Sequence, residues 1–240
     1  MKELSIFISE HRKRFKNEHN NMFTFSWSKV IRRLDFLKTI CNRHKEVSFK
    51  YIPNIEKQQQ LASSSSSTMS TEQHILLEEN IKLTSDLHLQ IESGYLFSKI
   101  ILDDITRAIE YYFGSATGLP LDSHDDFTKN IQKYSSVKDV KVSESFIQVL
   151  KDLKREICDF RDYQIAHEKS PRTMFGTYWD KEGNITLMLN RLYPKESDEQ
   201  FQSKTPEQLL TMVESYIKKI ITLIKENETK TELKLESNSV

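Results

Sequence analysis

The chain has 240 residues with only five glycines and five prolines, and 35 basic residues balance 35 acidic ones. So few turn-forming residues argue against a turn-rich β-sandwich or barrel, and no G-x-G-x-x-G or G-x-x-x-x-G-K-[ST] phosphate loop is present. Zero net charge predicts no general attraction to nucleic acid, so such contact would need a local patch. Cys41 and Cys158 are too few for a disulfide framework, and no signal peptide or membrane-spanning run is apparent. We therefore expect a reduced, cytoplasmic protein that does not enter a membrane.

Apolar residues in the first part of the chain recur at helical spacing. They predict one helix from Leu4 to about Phe15 and a second from Ser26 to about Glu46. Pro53 interrupts this pattern, and a polar run from Gln58 to Ser70 follows, which includes five consecutive serines. Such a run buries too little apolar surface to offset the entropy cost of ordering, so a loop or flexible linker is predicted there.

The remainder of the chain is also mainly helical in pattern. A capping sequence at Ser70–Gln73 begins the longest predicted helix, which extends to about Phe113. The later predictions, in chain order, are a turn over 114–122, a short helix over 127–134, a strongly amphipathic helix over 142–167, a β-hairpin with strands at 173–178 and 185–189, and a last helix that begins at Thr205–Glu207.

These elements predict an all-α, up-and-down helical bundle with a small β-hairpin insert near residues 173–189. By composition, residues 1–57 form an amino-terminal helical segment and residues 58–70 a Gln/Ser-rich linker. Residues 71–226 form the main bundle and residues 227–240 a polar, disordered tail. The amino-terminal helices either pack on the bundle or form a separate adaptor.

The end of the predicted helix 142–167 carries residue types that can do chemistry. Arg161 is followed directly by Asp162 and, after five intervening positions, by His167. This segment resembles the HEPN superfamily of all-helical domains, whose mark is an arginine, then a polar residue, then a histidine after four to six positions near a helix end. The likeness extends in architecture over roughly residues 71–226. Some nucleolytic members place a tyrosine two residues after the histidine, where this chain has Lys169.

The resemblance implies a metal-independent endoribonuclease, in some members a toxin or antiviral effector, that needs no cofactor because the 2′-hydroxyl of RNA is the nucleophile. His167 would act as general acid or base near neutral pH. Arg161 would hold the phosphate and stabilise developing charge, and Asp162 would orient either residue. Lys169 and Arg172 would contact RNA phosphates. The implied partners are RNA and an antitoxin or other regulatory protein, and the products are a 2′,3′-cyclic phosphate and a 5′-hydroxyl.

Helical geometry adds a constraint on this site. Six residues of an ideal α-helix advance about 9 Å and turn roughly 600°, which leaves Arg161 and His167 about 120° apart. Either the helix bends or ends near His167, or two copies pool their residues about a two-fold axis, as HEPN dimers do. We therefore predict a homodimer whose cleft contains both residues from each chain.

Two other interpretations stay open. In one, the protein is a non-catalytic HEPN-like interaction module that dimerises or binds a partner through the same face. Arg161 and Asp162 then form a surface salt bridge, and His167 interacts with the carboxyl end of its helix. In the other, the motif is accidental and the protein is an enzyme or sensor of another class.

Other chemically notable residues have simpler explanations. Ser123–Asp126 places a histidine beside two acids but lacks metal-ligand spacing, so a solvated helix start is predicted. Cys158 lies beside the apolar stripe and is predicted to be a buried, inert thiol. Trp179 in the hairpin either stacks on a base or anchors the hairpin to the bundle.

Overall fold

A computed structural model describes residues 2–64, 69–162, 173–191 and 202–235, which form the predicted all-α bundle with a small hairpin. The helices are α1 (Lys2–Arg14), α2 (Asn17–Ser64), α3 (Thr71–Phe113), α4 (His124–Lys138), α5 (Glu144–Leu153) and α6 (Pro206–Glu226). A π-helical segment (Lys154–Asp159) follows α5, a 3₁₀ turn (Glu228–Lys230) follows α6, and strands β1 (Thr173–Trp179) and β2 (Ile185–Arg191) form the hairpin. Across the described ranges, no helix is both long and apolar enough to span a lipid bilayer.

Helix α3 lies at the centre of the bundle. The predicted capping box at its start is present: the Ser70 hydroxyl accepts from the Gln73 backbone, and the Gln73 side chain accepts from the Ser70 backbone. From Ile101 to Phe113 buried residues cover most of the helix circumference, and only the stripe that carries Asp103, Arg107 and Glu110 is partly or fully exposed. The other helices therefore pack around its second half.

Helix α2 runs antiparallel to α3. This direction follows from cross-helix pairs, because Arg33 bonds to Asp104 near one end whereas Arg43 bonds to Asp86 further along, at 2.6 Å. Between them the rings of Phe36 and Phe97 meet edge to face, with centroids 5.5 Å apart. The two long helices thus form an α-hairpin that spans the molecule.

The amino-terminal helices pack on the bundle and share its hydrophobic core. Phe7, Phe23 and Trp27 are buried with Tyr112 of α3, and the rings of Phe23 and Tyr112 are 5.2 Å apart. The same cluster continues to Ile157 beyond α5. Of the two arrangements considered for residues 1–57, the structure shows the packed one.

The predicted loop over 58–70 is wrong for its first half, since α2 continues through Pro53 to Ser64. Contacts with α3 hold this stretch in place. The Asn80 amide donates to the Gln58 side chain at 2.6 Å, the Gln73 amide donates to the Leu61 carbonyl at 3.1 Å, and Lys57 pairs with Glu72 at 2.8 Å. Tertiary contacts override weak local propensity here. Residues 65–68 lie outside the described part of the chain.

The predicted disordered tail is also wrong over residues 227–235. Asn227 receives a hydrogen bond from the Lys141 backbone at 2.7 Å and donates to the Lys141 carbonyl at 3.0 Å. Further on, the Glu232 backbone donates to the Tyr112 carbonyl at 3.0 Å, and Leu233 is buried. The tail is ordered because it satisfies backbone groups at helix ends. Residues 236–240 lie outside the described ranges.

The hairpin is antiparallel, with Thr173 opposite Arg191 and Trp179 opposite Ile185. It is anchored on α2, because the Trp179 and Tyr51 rings meet edge to face at 6.3 Å. The Nε2 atom of His44 also lies 3.1 Å from the Ile185 carbonyl oxygen. These contacts fit the anchoring role considered for Trp179.

Helix α6 begins where α3 lacks a side chain. A Cβ at Gly94 would lie 3.2 Å from Leu209 Cδ1 and 3.7 Å from Pro206, so glycine allows the two helices to approach closely. A second capping box, formed by Thr205 and Gln208, fixes the start of α6.

The shared core predicts a single cooperative unfolding transition. Trp27→Ala removes a fully buried indole and should lower the free energy of unfolding by about 3–5 kcal/mol. Phe49→Ala is the matched control on the same helix, because Phe49 is 83% exposed, and its effect should stay within about 0.5 kcal/mol. Urea denaturation followed by circular dichroism measures both changes. Two separate transitions, with only one shifted by Trp27→Ala, would contradict a shared core.

Candidate functional site

The helix that carries the candidate motif is not a regular α-helix. α5 ends at Leu153, and the backbone continues as a π-helix over Lys154–Asp159. Lys154 and Asp159 are ion-paired at 2.5 Å. A π-turn brings residues five apart to nearly the same side, so this pair fits the widened turn. π-turns are rare and often occur at functional sites.

Arg161 and Asp162 lie in the last described turn of this irregular helical path. The Arg161 guanidinium donates to Asp162 Oδ1 at 2.5 Å, and the two side chains are 30% and 27% exposed. The structure thus brings together the two adjacent motif residues and leaves them partly open to solvent. The predicted His167, Lys169 and Arg172 lie outside the described residues.

Stacking fixes the position of the residue before the motif. The Phe160 ring stacks on Tyr95 of α3, with centroids 4.6 Å apart and planes 17° from parallel. The Tyr95 hydroxyl accepts a hydrogen bond from the Lys204 backbone at 2.7 Å, and the Lys204 ammonium pairs with Glu156 at 3.2 Å. The motif therefore follows a segment held by both α3 and the start of α6.

A partly buried ion pair lies beside this segment. The ammonium of Lys99, a buried residue of α3, is 2.9 Å from Asp103 Oδ1, which also accepts from the His124 backbone at 2.8 Å. Burial disfavours the charged form of Lys99, but Cys158 and the acidic groups of Asp103 and Asp125 outweigh it and raise the pKa of the ammonium. Lys99 therefore stays protonated.

Sequence reasoning missed this interior charge and the π-turn. Lys99 and Asp103 have the i,i+4 spacing of a helical ion pair, which was a usable signal. Residues five apart do not lie on the same side of an α-helix, so the spacing of Lys154 and Asp159 could not have predicted their contact.

The prediction of a solvated start for α4 is wrong for His124. Ser123 caps the helix as expected, since its hydroxyl accepts from the Asp126 backbone, but His124 is 0% exposed. Its Nε2 atom lies 3.4 Å from the Leu150 carbonyl oxygen, and its ring meets Tyr216 of α6 edge to face at 5.6 Å. Burial lowers the pKa of His124 to about 3. The start of α4 is packed between α5 and α6, and this packing removes the imidazole from water.

The two cysteines are buried thiols. Burial raises the pKa of Cys158, although the nearby Lys99 ammonium opposes the shift. Burial likewise raises the pKa of Cys41 to about 12. Since the thiolate is the nucleophilic form, the prediction of an inert Cys158 is confirmed. Within the described ranges, no group of three or more His, Cys, Asp or Glu side chains could hold a metal ion.

Comparison of the chain with known proteins finds no matching family model, no matching curated protein and no matching solved structure. The resemblance to HEPN domains therefore stays a prediction from the sequence motif. Any assignment of function has to be argued from the chemistry of the motif residues.

The buried His124 predicts a pH dependence of stability. In the unfolded chain this histidine takes up a proton near pH 6.5, whereas in the folded protein it does so only near its lowered pKa of about 3. The unfolded state thus binds more protons below pH 6.5, and the stability that neutral His124 provides above that pH is lost as the pH falls. Between pH 7 and pH 5 the wild type should lose about 2 kcal/mol relative to His124→Gln.

Urea denaturation at each pH measures this difference. His74→Gln is the control, because His74 is exposed at the start of α3. The free energy of unfolding of this variant should change with pH in parallel with that of the wild type. NMR of the folded wild type should also show a His124 imidazole that does not titrate between pH 7 and pH 5. If the free energies of unfolding of His124→Gln and the wild type changed in parallel between pH 7 and pH 5, the burial of a neutral imidazole would be contradicted.

Proposed function

We propose that the protein is a metal-independent endoribonuclease of the HEPN type, located in the cytoplasm. The observation that carries the proposal is a partly exposed Arg161, paired with Asp162, in the last described turn of a bundle helix, six positions before His167 in the sequence. Arginine, polar residue and histidine follow one another in the order and spacing of the HEPN motif.

The proposed chemistry requires proton transfer and charge stabilisation. His167 takes the proton from the 2′-hydroxyl or gives one to the leaving 5′-oxygen, because an imidazole can do both near neutral pH. Arg161 binds the phosphate and stabilises its developing negative charge. Asp162 positions the guanidinium through the 2.5 Å contact. Lys169 and Arg172 follow closely in the chain and would bind neighbouring phosphates.

The active unit is proposed to be a homodimer. On a regular α-helix Arg161 and His167 would point about 120° apart, and the π-turn before Arg161 means that this helix is not regular. A two-fold axis beside the motif would place both residues from each chain around one phosphodiester. An antitoxin or other regulatory protein would then act by covering that cleft.

One observation favours a second candidate function. The Arg161 guanidinium is already neutralised by Asp162 within the same chain, as expected of a structural ion pair. In this case the same surface serves a non-catalytic HEPN-like module that dimerises or binds a partner protein.

RNA cleavage in EDTA separates the two candidates. We expect the wild type to cut mixed RNA into products with 2′,3′-cyclic phosphate and 5′-hydroxyl ends. His167→Ala should lower kcat by roughly 100-fold or more, through loss of general acid–base catalysis. Arg161→Ala should lower kcat by about 100-fold, through loss of charge stabilisation.

Arg155→Ala is the matched control for this experiment. Arg155 lies on the same helical path, is 67% exposed and pairs with Asp152 and Glu156, outside the motif. Its variant should cleave RNA like the wild type. Cleavage that persists in both motif variants would assign the activity to another site or protein, and an inactive wild type that still dimerises would favour the interaction module.

The oligomeric state gives an independent prediction. Light scattering of the purified protein should give the mass of two 28.3 kDa chains, because the proposed cleft takes residues from both copies. A full-length protein that cleaves RNA through Arg161 and His167 while strictly monomeric would contradict the pooled site.

A further inference from the structure

A cavity of about 310 Å³ lies far from the motif, between the start of α5 and the last turns of α6. Phe146 and Leu223 contribute its apolar lining, and Lys141, Lys218 and Lys219 contribute three ammonium groups. Its size is at the lower end of the range for small-molecule sites. The residues between Glu144 and Arg161 are helical, so their rise of about 1.5 Å each puts this cavity roughly 25 Å from the motif.

The charge of the cavity is strongly positive for its size. Three lysines face one carboxylate among the lining residues, that of Glu226, which leaves an excess of two positive charges. In the described part of the chain, no carboxylate oxygen lies within ion-pair distance of these three ammonium groups. Asp139, two residues before Lys141, pairs instead with Lys230. Among the described residues, none of the three lysines is therefore held in an ion pair that a bound anion would have to displace.

The walls of the cavity are fixed by packing and hydrogen bonds. Asn227 is bonded through its side chain to both the N–H and the carbonyl of Lys141, and also to the Leu223 carbonyl at 2.9 Å. Phe146 is buried and its ring lies 6.4 Å from Tyr216, nearly parallel to it. A site with fixed walls loses little entropy when a ligand binds.

Hydroxyl groups complete the polar lining. Ser143 and Ser145 both line the cavity, and their hydroxyl oxygens are 2.9 Å apart. Hydroxyls can donate to phosphate oxygens, and lysines bind phosphate as point charges. A phosphate monoester carries a charge of about −1.5 to −2 near pH 7, which matches the excess positive charge.

We propose that this cavity binds a small organic phosphate, with the phosphate between the lysines and its organic part against Phe146 and Leu223. This inference is independent of the nuclease proposal, because it uses none of the motif residues. A free phosphomonoester is favoured over a polynucleotide because the three lysines line one small depression of about 310 Å³ rather than an extended basic groove.

Calorimetric titration of the full chain with AMP tests the proposal, with adenosine as the ligand that lacks the phosphate. We expect saturable binding of AMP and no measurable binding of adenosine. The double variant Lys218→Gln/Lys219→Gln should weaken AMP binding by about tenfold or more, because two charged contacts to the phosphate are lost. Its circular dichroism and melting temperature should match those of the wild type, since both lysines are exposed.

The matched control is Lys129→Gln/Lys133→Gln, which removes two exposed α4 lysines that do not line the cavity. It should bind AMP like the wild type. The proposal is overturned by absence of saturable AMP binding, by equal loss in both double variants, or by equal affinity for adenosine. It is also overturned if RNA without a terminal phosphate displaces AMP as effectively as AMP itself, because the cavity would then be a polynucleotide site. None of these outcomes depends on whether the protein cleaves RNA.

Discussion

The wide buried face of α3 between Ile101 and Phe113 is the constraint on which the architecture depends. A helix with so wide an apolar face cannot leave that face in water, so several neighbours must cover it. Helices α1 and α2 cover it with an aromatic cluster around Tyr112, α6 approaches it at Gly94, and the segment after α5 stacks Phe160 on Tyr95. The position of Arg161 is therefore a consequence of how α3 is covered.

Polar groups inside this packing determine how the candidate site is held. Lys99 and Asp103 bring a charged pair into the interior, and Asp103 also binds the backbone at the start of α4. Removing Asp103 would leave the buried ammonium of Lys99 without its 2.9 Å partner and the start of α4 without a hydrogen-bond acceptor. This pair ties α3 and α4 together beside the π-turn that leads to Arg161.

The sequence predicted the fold well where a local signal was strong. Helical periodicity located the helices, the capping box of Ser70 and Gln73 marked the start of α3, and the glycine-containing turn predicted the hairpin. The helical stretch Gln58–Ser64 was missed because contacts with Asn80 and Gln73 across space hold it, and no local pattern records them. Burial of His124 was missed for the same reason. For the site, Arg161 and Asp162 were identified and are in contact, whereas their relation to His167 stays a prediction.

The π-helical segment changes the direction in which the side chains that follow it point. A π-turn holds one residue more than an α-turn, so each position after it is displaced around the axis relative to an uninterrupted α-helix. An uninterrupted α-helix of the same length would turn every later side chain by about 100°, whereas deleting a single residue between Lys154 and Asp159 would restore α-helical hydrogen bonding and leave the later side chains close to their present directions. The number of residues in this segment thus determines the direction in which the Arg161 side chain points from the bundle.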